Sequence, residues 1–249
     1  MDVTIASAGL QAQISMMGAE LVRLQDKQGR DFLWDGDPAY WTGRSPLLFP
    51  VVGRVSNDTI RVDEREYNLP RHGFARVSHF AIVESEASRC LLRLSFNETT
   101  LKQFPYPFQL EVEYGIEATT LSITASVLNN GSAAMPVSFG FHPAFRWPLP
   151  FGASRDAHFI RFEHEELAPI RRPVNGLISQ VPETSPVHGR TLELCDELFA
   201  KDALVFDSLQ SRSVIYSAPN SGSIRVDFPD LPHLGVWTKP GSGFICIEP

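Results

Sequence analysis

Cysteine is scarce in this 249-residue chain: Cys90, Cys195 and Cys246 are odd in number and widely spaced. Such a set makes neither a disulfide framework nor a zinc-ligand pattern, and it reads as single thiols in a reducing cytoplasm. Positive charge is in deficit, with 22 Lys and Arg against 29 Asp and Glu and a net charge of −7. Nucleic acid and anionic membrane surfaces demand a basic footprint, so neither is an expected partner. No uncharged apolar run approaches the roughly 18 residues of a spanning helix. Met1-Asp2-Val3-Thr4-Ile5 has no basic leader and no apolar h-region, so no secretory signal is expected. Missing too are the Gly-x-Ser-x-Gly elbow, the phosphate-binding Gly-x-x-x-x-Gly-Lys, the dinucleotide fingerprint and the His-Glu-x-x-His helix.

What is present is the periodicity of strands. Every second residue is apolar over 108–116 and again over 121–127, which puts one face on a core and the other toward water. The four residues between the runs suit a hairpin, and Asn129-Asn130-Gly131 ends the second strand. Further strands are expected over 3–5, 11–15, 21–25, 32–34, 59–62, 80–85, 91–96, 214–217 and 224–228. A turn over 26–30 joins two of them. Helical signal is confined to 97–104, with Asn97 as N-cap and Pro105 and Pro107 as the stop, and to a turn within 193–199. The stretch 169–190 reads as a long surface loop. The expected class is an all-β antiparallel sandwich forming one domain over 1–249.

Four segments put a polar group where a strand should be buried. In Phe139-Gly140-Phe141-His142-Pro143-Ala144-Phe145, three phenylalanines surround His142, and Pro143 holds it extended. A neutral imidazole there can exchange a proton near neutral pH; a satisfied core histidine is the plain alternative. In Pro70-Arg71-His72-Gly73-Phe74-Ala75-Arg76, Gly73 permits a tight turn beside a ligand, or His72 is an exposed loop residue. Arg54 follows an apolar run and Gly53; its fork suits sugar hydroxyls or a carboxylate, or it points to solvent. In the final run, Glu248 shares a face with Phe244 and Cys246. Burial favours the protonated form of a carboxylate, which suits a base working near neutrality, though a buried ion pair is the other reading. His72, His142 and Glu248 could form a metal triad, but their wide separation gives a metal no support.

Taken in order, these segments resemble the aldose 1-epimerase (galactose mutarotase) family. The matching residues are Val52-Gly53-Arg54 with Asn57, His72-Gly73, Phe141-His142-Pro143 and Phe244-Ile245-Cys246-Ile247-Glu248. Gly18-Ala19-Glu20-Leu21 and Trp237-Thr238-Lys239-Pro240 are similar to the compact bacterial branch. The resemblance implies a supersandwich of antiparallel sheets, no cofactor, no metal, and exchange of the α and β anomers of a free hexose. It implies that Glu248 takes the C1 hydroxyl proton and His142 protonates the ring oxygen. Arg54 and His72 would hold the sugar, Asn57 belongs to the same motif, and Trp237 and Phe74 would pack on its C–H face. Asp202 is the match for an aspartate that binds substrate hydroxyls. Asp58 stands where the usual family pattern has an arginine. Family chains continue past the Glu-Pro with closing strands, so a sandwich over 1–249 is expected to lack them. Two rivals remain: a hexose-6-phosphate mutarotase, with Arg44, Arg71 and Arg76 as a phosphate clamp, and a non-catalytic sugar-binding or regulatory protein. A glycoside hydrolase would need two opposed carboxylates, and only Glu248 is well placed. Oligomeric state is open.

Overall fold

The computed structural model describes residues 2–249. Its sheets are antiparallel, and the class is all-β, as the period-two patterns require. The chain forms two compact units: the residues up to Asp31 together with Ser45–Phe141, and Phe32–Arg44 together with His142–Pro249. Among the described residues no helix is long and apolar enough to cross a membrane.

The first unit holds a three-stranded sheet of Asp2–Ala6, Leu10–Ser15 and Leu21–Asp26. A four-stranded sheet of Ala81–Ser85, Arg89–Ser95, Phe108–Glu117 and Thr120–Asn129 lies against it. The alternation over 108–116 has a clear result: Phe108, Leu110, Val112, Tyr114 and Ile116 are all buried, while the residues between them are half-exposed. Each such side chain contributes roughly 1.5–3 kcal/mol by leaving water. The Tyr114 hydroxyl donates to the Ala19 carbonyl at 2.6 Å, so the one polar atom on that face is satisfied. The hairpin after it turns on Ala118 and Thr119. Asn97 caps the short helix Glu98–Leu101, its side-chain oxygen accepting from the Thr99 and Thr100 amides.

The second unit contains two four-stranded sheets. One has the order Ala144–Arg146, Phe244–Glu248, Leu234–Trp237, Leu204–Phe206. The other has the order Thr191–Glu193, Phe159–Phe162, Ser213–Ser217, Ser223–Asp227. Phe244, Ile245, Cys246 and Ile247 are all fully buried, the pattern of an inner strand with both faces covered.

Two expectations change. The segment 32–34 is not a full strand. It runs beside Ala144–Arg146 through a single bridge, Leu33 to Phe145, flanked by the bonds from Trp34 N–H to the Ala144 carbonyl and from Arg146 N–H to the Phe32 carbonyl. Gly36, at φ 77°, then turns the chain away. The stretch 169–190 is also more ordered than a loop. It contains the hairpin Pro173–Val174 with Leu177–Ile178. Arg171 binds the Asp207 carboxylate and the Ser179 and Gln180 carbonyls, and Arg172 donates to the carbonyls of Leu198 and Asp202. These long-range anchors have no local signature along the chain, which is why the stretch reads as a loop.

Candidate active site

The second unit brings three of the candidate residues together, His142, Glu248 and Trp237. His142 Nε2 lies 3.3 Å from Glu248 Oε2, within ion-pair distance, and both side chains are largely buried. The approach follows from backbone pairing. Ala144 sits opposite Cys246 in the sheet, and the Ile247 amide donates to the Pro143 carbonyl at 3.2 Å. Pro143 keeps His142 extended, so the imidazole is carried alongside the Phe244–Glu248 strand. On that strand, period two places Phe244, Cys246 and Glu248 on one face. On the neighbouring strand Gly235 is the register partner of Glu248. A Cβ at Gly235 would come within 3.3 Å of Glu248 Cβ and 3.4 Å of Oε2, so the glycine leaves room for the carboxylate.

Aromatic rings wall the pair. Trp41 lies over the His142 imidazole, with centroids 4.8 Å apart and planes at 33°. Trp237 meets the imidazole edge-on at 6.0 Å. Trp41, Trp237 and Phe244 contact one another at 5.4–5.6 Å. Trp34, Ala144, Phe244 and Cys246 form the buried floor. The loop that delivers Trp41 is pinned by the Trp34 indole N–H, which donates to the Trp41 carbonyl at 2.8 Å. Gly43 lets the indole fold back, since a Cβ there would lie 2.5–2.9 Å from the Trp41 ring. Burial first, and then the Glu248 carboxylate, push the Cys246 thiol well above its ordinary range.

The other candidates fall elsewhere. Arg54, Asn57, His72 and Phe74 belong to the first unit. There the Gly53–Arg54 and His72–Gly73 motifs meet: the His72 amide donates to the Gly53 carbonyl at 2.7 Å, and the Gly53 amide points at His72 Nδ1 at 3.1 Å. Arg71 Nε donates toward His72 Nε2 at 3.1 Å. A neutral imidazole has one lone pair and an imidazolium has none, so both neighbours oppose protonation. Burial, and then the charges of Arg71 and Arg76, lower the His72 pKa to about 3. Arg54 is exposed, and its fork is taken by Asp58, with Nε and Nη2 at 2.6 and 2.7 Å from the two carboxylate oxygens. Each partner stabilises the charge of the other, which raises Arg54 and lowers Asp58. Asn57 is exposed at φ 54°. Phe74 is core, 2% exposed and packed on Phe49 and Phe108.

Asp202 lies in the second unit at the end of the turn Asp196–Phe199, with φ 78°, and its carboxylate accepts from the Ala203 amide. Of the three arginines proposed as a phosphate clamp, Arg71 and Arg76 touch each other through Arg76 Nη2 and the Arg71 carbonyl, and Arg44 belongs to the other unit. The sequence reading missed Trp41 and Trp34. The available signal was the density of aromatic residues in Trp34-Asp35-Gly36-Asp37-Pro38-Ala39-Tyr40-Trp41, a polar turn that has no need of them.

The aldose 1-epimerase family model matches residues 1–249. The LacX protein encoded on a Lactococcus lactis plasmid is 33% identical over all of this chain and 87% of its own length. The crystal structure of a galactose mutarotase-like protein from Lactobacillus casei superposes with TM-score 0.89 at 29% identity, covering all of this chain and 87% of that one. A galactose mutarotase related enzyme from Lactobacillus acidophilus gives TM-score 0.91 at 27% identity, over all of this chain and 85% of that one.

Proposed function

The chain belongs to the aldose 1-epimerase family, and on that premise we propose that it interconverts the α and β anomers of a free hexose by general acid and base ring opening. The observation that carries this reading is the His142–Glu248 pair, 3.3 Å apart and walled by Trp41, Trp237 and Phe244. Glu248 as carboxylate takes the proton from the C1 hydroxyl. The C1–O1 bond becomes a carbonyl as the bond from C1 to the ring oxygen breaks. His142 as imidazolium gives its proton to that ring oxygen. The C1–C2 bond rotates, and the reverse steps close the ring on the other face and return both protons. One base and one acid suffice, and groups of this kind contribute about 10²–10⁴-fold each. The aromatic wall supplies flat apolar surface for the C–H face of a pyranose, and it excludes water from the proton transfers. The sugar-binding roles that the resemblance assigns to Arg54, His72 and Asp202 form part of the proposal, and each can be tested by substitution.

Polarimetry on fresh α-D-glucose, α-D-galactose and a hexose 6-phosphate tests the proposal. Rotation of at least one free aldose should equilibrate faster than in buffer at matched pH. If no sugar shows an excess rate while calorimetry detects sugar binding, the protein is a sugar-binding module. If only the phosphate ester responds, it is a hexose-phosphate mutarotase.

A further inference from the structure

The candidate metal ligands His72, His142 and Glu248 are far apart along the chain, so their spacing supports no metal. The fold brings a different set together. A nitrogen of His142, the Sγ of Cys246 and a carboxylate oxygen of Glu248 all lie within 4.8 Å of one another. We propose that His142, Cys246 and Glu248 form a binding site for one thiophilic divalent cation of the zinc type, and that the cation excludes the sugar chemistry while it is bound.

Three observations carry this. First, His142 Nε2 and Glu248 Oε2 are 3.3 Å apart, and a tetrahedral zinc with bonds of roughly 2.0–2.1 Å to both atoms sets them about 3.3 Å apart. From the upper bound of 4.8 Å, the sulfur needs a shift on the order of 1 Å to reach a bond of about 2.3 Å. Second, charge balances: a neutral imidazole, a thiolate and a carboxylate cancel a doubly charged cation, so a neutral assembly sits among Trp41, Trp237 and Phe244. The thiol proton leaves to solvent as the sulfur binds. Third, the sheet fixes the Cys246 backbone, which is paired on both sides, with Ala144 and with Trp237, so the adjustment falls to its side chain. One sulfur, one nitrogen and one carboxylate select zinc or cadmium over magnesium and calcium, which prefer six or more oxygen ligands.

The inhibitory consequence rests on the function proposed above, because the cation would occupy the atoms assigned as acid and base. Metal binding itself does not depend on that reading. The full chain, stripped with EDTA, is titrated with cadmium chloride while the near-ultraviolet thiolate-to-metal absorption is followed. We expect one equivalent per chain, displacement by zinc chloride, and no response to magnesium chloride. Cys246→Ala and the near-isosteric Cys246→Ser, each checked for a native circular dichroism spectrum, should lose the band. Cys195→Ala, at an exposed thiol, should keep it. In parallel, zinc should slow mutarotation of the wild type, with at least tenfold weaker inhibition in Cys246→Ala. Absence of the band in the wild type, or its survival in both folded Cys246 variants, overturns the site whatever the rates show. A Cys246-dependent band without inhibition upholds the site and overturns the acid–base assignment. Loss of mutarotation on chelation, restored by zinc, overturns the inhibitory role.

Discussion

The indole of Trp41 covers the imidazole of His142, centroids 4.8 Å apart and planes 33° from parallel. One ring therefore sets the plane of the other. Trp41→Leu should lower kcat about 2–13-fold, the range that follows from roughly 0.5–1.5 kcal/mol for an aromatic pair. Trp41→Phe should recover most of the loss. Progress curves by polarimetry, with melting temperature as the control, decide between a positioning residue and mere packing. Equal losses in both variants with a matching fall in melting temperature would make it packing.

Glu248→Gln keeps the shape and loses the base. The expected result is a fall in kcat of about 10²–10⁴-fold with KM nearly unchanged. A purely structural Glu248 would show a lowered melting temperature with full activity in the folded fraction.

Gly235 gives the Glu248 carboxylate its room, and a Cβ there would stand 3.4–3.6 Å from it. Gly235→Ala should reduce kcat by moving the carboxylate by a few tenths of an ångström, and Gly235→Val should reduce it further. Both should unfold near the wild-type midpoint in urea. Unchanged kinetics in Gly235→Val would show that Glu248 is not held by this contact.

His72 makes stability depend on pH. Its folded pKa, about 3, lies below the ordinary 6.5. Below pH 6.5 the unfolded chain takes up a proton that the folded protein refuses. The contribution of neutral His72 is therefore complete above pH 6.5 and is lost as pH falls toward 3. On linkage the loss is about 2 kcal/mol at pH 5. Urea midpoints across pH 4–8 should fall on the acid side, and His72→Gln should flatten that slope. If the slope is the same in the variant, other groups carry it.

Period two over 108–116 and 121–127, the capped turn at Asn97 and the shortage of helical spacing already determined an all-β chain, because alternation and capping are local and each residue carries its own part of the signal. The order of the Gly-Arg, His-Gly, Phe-His-Pro and C-terminal glutamate segments likewise points to the family from sequence alone. Tertiary structure alone decided which groups meet. It set His142 against Glu248 through sheet register, laid Trp41 over the imidazole from a loop with no regular period, put Phe74 in a core, and spent the fork of Arg54 on Asp58. It also brought Cys246 to the acid and base. Contacts of this kind depend on backbone pairing between segments far apart along the chain, and no residue in one segment records what the other will present to it.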